Sequence, residues 1–120
     1  MSDTIKKALD QAATRRPLID SLDDKVSAAI VNIETAMRRH FSVRIEVDIG
    51  DGYALAFGKH GGKWCLIWCH GQEETPLVSA PRDIRAEALA LGQIDKLLVA
   101  SVDQLDDDIK QRELALAQAD

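Results

Sequence analysis

The chain has 120 residues, 46% of them hydrophobic and 29% charged, with a formal net charge of −5. That length suits one domain and is too short for two ordinary ones. The hydrophobic share excludes a disordered chain, and the few glycines and cysteines exclude collagen-like and disulfide-stapled classes. No apolar run approaches the roughly 20 residues of a bilayer span, so no membrane partner is expected.

The charge is unevenly placed. Residues 1–42 hold seven Lys/Arg against six Asp/Glu, residues 43–72 three against three, and residues 73–120 five against eleven. Such a chain repels phosphate backbones unless a basic patch overrides it, and the doublets Arg15-Arg16 and Arg38-Arg39 are too short to do so. A nucleic-acid partner is therefore not expected. The segment MSDTIKKALD lacks the apolar stretch of a secretory signal. Cys65 and Cys69 share one strand and lie roughly 13 Å apart, beyond disulfide reach. Reduced thiols in a cytoplasmic protein are the expectation.

Residues 3–14 carry Ile5, Ala8, Leu9, Ala12 and Ala13 at helical spacing, and Pro17 is expected to end that helix. A second helix runs from about 17–20 to His40, with Ile19, Leu22, Val26, Ala29, Ile30, Ile33, Met37 and Phe41 on one stripe. Asp23, Asp24, Asn32, Glu34, Arg38 and Arg39 take its solvent side.

The period then changes to two. Val43, Ile45, Val47 and Ile49 alternate with Arg44, Glu46 and Asp48, and strands over 53–58 and 63–70 follow glycine turns. If both turns are three-residue loops ending in a left-handed glycine, Ile45 faces Phe57, Val47 faces Leu55 and Ile49 faces Tyr53. Across the second turn Phe57 then faces Cys65, Leu55 faces Ile67 and Tyr53 faces Cys69. The opposite face would show Arg44, a trough of Ala54, Ala56 and Gly58, and then Trp64, Leu66, Trp68 and His70. Small residues inside a strand mark a close approach by something else.

Residues 71–81 read as a loop or short extension, with Ser79 as the cap of the next helix. From Asp83 onward Ile84, Leu91, Leu98 and Leu105 recur every seven residues, interleaved with Ala88, Val102, Ile109 and Leu116; Asp95 is the charged gap. A continuous helix of that length would be on the order of 50 Å long. It either breaks near 101–108 or carries residues 102–120 out of the domain.

The expected fold is α+β, a three-stranded antiparallel meander packed with an N-terminal amphipathic helix and a long C-terminal helix in the order α-β-β-β-α.

Several constellations suggest chemistry. His60, Cys65, Cys69 and His70 do not converge as a tetrahedral metal site, because alternation sends His70 away from the cysteines. No metal or cofactor is expected. Cys69 and His70 face apart for the same reason, so a thiol enzyme at Cys69 would need His40 to approach from a packed helix. No carboxylate pair or hydrolase motif appears, and Gly58–Lys63 lacks the spacing of a phosphate loop. The acidic run Asp103, Asp106, Asp107 and Asp108 reads as a solvated helix face.

The expected function is a non-enzymatic protein-interaction module. It would form a homodimer through Leu91, Leu98, Val102, Leu105 and Ile109 and bind a protein partner on Trp64, Leu66, Trp68, His70 and Arg44. The alternative is a domain that binds a small ligand or single-stranded nucleic acid in the trough beside the two tryptophans.

Overall fold

A helix of 36 residues, α1 (Asp3–Arg38), leads into the sheet in the computed structural model, which describes residues 2–119. Ser2 caps it, its side chain accepting the Ile5 N–H at 3.2 Å. The helix does not end at Pro17. Proline costs the bond to the carbonyl four residues back, but every residue from 2 to 19 is exposed, so water can solvate the freed carbonyl. Arg16 Nε also pairs with Asp20 across the proline at 3.3 Å.

Four strands follow, β1 (Ile45–Gly50), β2 (Tyr53–His60), β3 (Lys63–His70) and β4 (Glu73–Pro76), in an antiparallel meander of order β1-β2-β3-β4. The class is α+β, with one strand more than the sequence pattern suggests. The extra strand lies in the stretch expected to be a loop or short extension, where Gly71 at φ 61° allows a tight reversal that pairs His70 with Glu73.

The first hairpin reaches two of the three expected pairings by a different device, and Ile49 does not face Tyr53. Asp51 and Gly52 both have positive φ, giving a two-residue turn in which Gly50 faces Tyr53. A bulge between Asp48 and Gly50 then absorbs Ile49 and restores Val47↔Leu55 and Ile45↔Phe57. The Gly50 N–H donates to Asp48 Oδ1 at 2.7 Å and stabilises the bulge.

The second hairpin departs from expectation. Gly61 and Gly62, at φ 61° and 80°, form a two-residue turn that pairs His60 with Lys63, and no bulge follows. Phe57 therefore faces Leu66, Leu55 faces Trp68 and Tyr53 faces His70. A one-residue slip exchanges the two faces of a strand. Trp64, Leu66 and Trp68 thus join Leu55, Phe57, Val47, Ile30, Met37, Ile94 and Leu97 in or against the helix-covered core. Cys65, Ile67 and Cys69 lie with Ala54 and Ala56 in a separate cluster that contains no helix residue.

After a 3-10 turn (Leu77–Ser79) come α2 (Arg82–Ala90) and α3 (Gln93–Ala119). Pro81, rather than Ser79, occupies the cap position of α2. The expected single helix is broken at Leu91-Gly92, where Gly92 takes φ 70°. Arg82 ties the start of α2 to α1, reaching Asp20 at 2.8 Å and Asp23 at 3.4 Å.

The molecule measures 83 × 26 × 25 Å. At 1.5 Å per residue α1 is about 54 Å long and α3 about 40 Å, so neither alone spans the long axis. Only the second half of α1 and the first half of α3 pack on the body. The long dimension is reached because their free ends point in opposite directions.

Candidate interaction site

The indoles do not share a surface with the trough. Trp64 is half-buried with its ring 5.5 Å from Phe57, and Trp68 stacks on Tyr53 at 5.3 Å. Leu66 is fully buried, and His70 is exposed and stacks on the same Tyr53 ring at 4.2 Å. Arg44 lies on the opposite face, where it contacts Cys69 and bonds Glu74 Oε1 at 2.6 Å. The five residues expected to form one partner-binding face are therefore split, because the expected register is one residue off.

The trough has an occupant. A Cβ added to Gly58 would meet Arg44 Cγ at 3.1 Å, so the arginine stem crosses the strand where a side chain is missing. The Arg44–Glu74 pair links the residue before β1 to β4, across the small residues of β2 and β3. This fills the Gly58 end of the trough, while a recess of about 270 Å³ lined by Glu46, Asp48, Ala54 and Cys69 stays open at the other end.

Beside Trp68 a recess of about 420 Å³ opens between the first hairpin and α2, walled by Tyr53 and Ile84 and rimmed by Asp51, Asp83 and Glu87. No lysine or arginine lines it. Three carboxylates repel phosphate, so an indole at this rim is a poor platform for nucleic acid.

Both thiols are harder to ionise than a free one. Burial, followed by the Glu46 and Glu74 carboxylates, pushes the Cys69 thiol up, and Arg44 only partly opposes them. Burial and Glu34 raise Cys65 in the same direction. Both cysteines are free and buried. His70 projects from the other face of β3. Among the described residues no group of three or more His, Cys, Asp or Glu side chains is placed to hold a metal ion. No described helix is long and apolar enough to cross a membrane.

The projecting helices are different. On α3 the packed stripe is Ile94, Leu97 and Ser101, with Gln104 and Asp108 half-buried. One step round the helix runs the heptad seam. Leu98 still packs against the core, whereas Val102, Leu105 and Ile109 are 49%, 37% and 54% exposed. Leu91 is exposed too, but it sits at the joint before α3 and off this seam. Beyond Asp108 every described residue is exposed.

The first half of α1 matches this pattern, which the sequence reading missed as an interaction surface. Ile5, Ala12, Ile19, Val26 and Ile33 recur every seven residues, so the stripe packed at Val26, Ile30, Ile33 and Met37 continues outward to Ile5 and Leu9. Those two are 53% and 56% exposed. The signal was legible in the one series Ile5–Ile33, although its companion series Leu9, Arg16, Asp23, Ile30 and Met37 is interrupted by charge; Pro17 hid it by dividing one helix into two.

No protein-family model, curated protein or solved structure matches the chain.

Proposed function

We propose that the chain is a non-enzymatic protein-interaction module whose partner is a second copy of itself, held through α3. The observation that carries this reading is the exposure of Val102, Leu105 and Ile109 on a helix that extends past the body. A helix face that alternates apolar residues at three- and four-residue steps gains stability only when another helix covers it. The raised Cys69 thiol and the divergence of His70 support a role without catalysis. Two free thiols suit a reducing cytoplasmic setting.

Solution mass by sedimentation or light scattering tests the proposal. At tens of micromolar the chain should sediment at twice its 13.2 kDa, and Leu105→Asp with Ile109→Asp should return it to monomer with unchanged circular dichroism. A strict monomer in the unmodified protein at that concentration removes the proposal.

A further inference from the structure

We propose that the segment covering the α3 seam is the free end of α1 from the second copy, in a reciprocal antiparallel dimer. This rests on the self-association above and names what each helix meets. The inference starts from charge. Residues 3–19 carry Lys6, Lys7, Arg15 and Arg16 against Asp3 and Asp10, net +2. Residues 102–119 carry Asp103, Asp106, Asp107, Asp108 and Glu113 against Lys110 and Arg112, net −3. Among the described residues Lys6, Lys7, Arg15, Asp103, Asp106 and Asp107 enter no ion pair within the chain. An α3–α3 contact would oppose two net-negative arms, and an α1–α1 contact two net-positive ones. Only α1 against α3 brings unlike charges beside two apolar stripes.

Length points the same way. Residues 3–19 span about 25 Å and residues 102–119 about 27 Å, so the two arms match end to end. Because they leave the body at opposite ends, no arm can fold back onto the other arm of its own chain. Two copies side by side and antiparallel place each α1 arm on the partner's α3 arm, and a twofold axis makes the two contacts identical.

Area decides between one contact and two. A strip 25 Å long and roughly 10 Å wide gives about 250 Å² per helix, so a single helix pair buries about 500 Å² in total. That is half of the roughly 1,000 Å² that a specific interface needs, and the reciprocal pair reaches it.

Charge reversal in the full-length chain tests the pairing. One variant carries Lys6→Glu, Lys7→Glu and Arg15→Glu, which turns the α1 arm from +2 to −4. The other carries Asp103→Lys, Asp106→Lys and Asp107→Lys, which turns the α3 arm from −3 to +3. All six sites are exposed, so neither variant should lose its fold, and circular dichroism checks this. Each variant alone should be monomeric at concentrations where the unmodified chain is a dimer, and a one-to-one mixture should regain the dimer mass. If the α1 variant alone stays dimeric, α3 pairs with itself and this inference fails while the self-association stands. A mixture that stays monomeric, or a mass that climbs past two copies, also overturns it. An unmodified chain that is monomeric removes both.

Discussion

Glu34 Oε1 accepts the backbone N–H of Leu66 at 3.2 Å, while Arg38, one helical turn on, donates from Nε to the Trp64 carbonyl at 2.7 Å. Strand β4 pairs with β3 only from Ile67 to His70, so the edge of β3 at Trp64 and Leu66 has no strand beside it. Two side chains of α1 supply the acceptor and donor that a fifth strand would have provided. Glu34 is almost wholly buried, and Arg38 Nη2 lies 3.4 Å from its carboxylate. Glu34→Ala leaves the Leu66 N–H unsatisfied and should cost about 1–3 kcal/mol in urea unfolding. Glu34→Gln keeps an acceptor oxygen and should cost much less.

The same carboxyl sets a pH dependence. Burial holds its pKa above the usual 4.5, although the Leu66 N–H, Arg38 and Lys63 pull it down. A proton is therefore held more tightly in the native chain than in the unfolded one. The stability this adds is fully present below the unfolded value and is lost as pH rises through the raised folded value. The unfolding midpoint of the wild type should fall relative to Glu34→Gln as pH rises from 4.5 toward neutrality. A constant difference across that range would exclude the linkage.

Cys65 and Cys69 should alkylate slowly in the folded protein at neutral pH, well below the rate of a free thiol, and rapidly once unfolded. Both are buried and both have raised thiol pKa values. Fast modification of Cys69 at neutral pH would contradict this and revive a catalytic role.

Gly62→Ala should destabilise the chain by about 1–2 kcal/mol, because φ 80° is left-handed backbone in a turn that needs it at both central residues. Thermal unfolding measures the loss. Nothing crowds the position, so the effect reports backbone conformation alone.

Gly58→Ala should act differently. Its new methyl meets the Arg44 stem at 3.1 Å, so the arginine must shift away from Glu74 and Cys69. The expected result is a small loss of stability, measured by thermal unfolding, and a Cys69 thiol pushed up further because Arg44 is the cation that lowers it.

Most of the fold was legible from period. The apolar stripe from Ile19 to Phe41 and the alternation of Val43–Ile49 identify a helix and a half-buried strand, and the Val47↔Leu55 and Ile45↔Phe57 pairings follow. The face of β3 was not legible, because Gly61-Gly62 accepts either a two- or a three-residue turn and its neighbours are apolar on both faces. Trp64, Leu66 and Trp68 satisfy a core as well as Cys65, Ile67 and Cys69 do, so hydropathy cannot choose between them. Glu34 was misread as solvated because charge at a helix position ordinarily means exposure. The Arg38 one turn later was the only local sign otherwise. Pro17 misled for a related reason: proline ends most helices, yet an exposed one can be carried through.

Pro17 has one further consequence. With no amide hydrogen, it interrupts the ladder between the outer turns of α1 and the packed half. A segment of about fifteen residues without tertiary contacts is marginal as a helix in water. The outer turns can therefore melt and reform as a unit of local unfolding while the body stays intact. Amide exchange and protease susceptibility of residues 3–16 then become gauges of assembly, high when the chain is alone and suppressed when a neighbour lies along the arm.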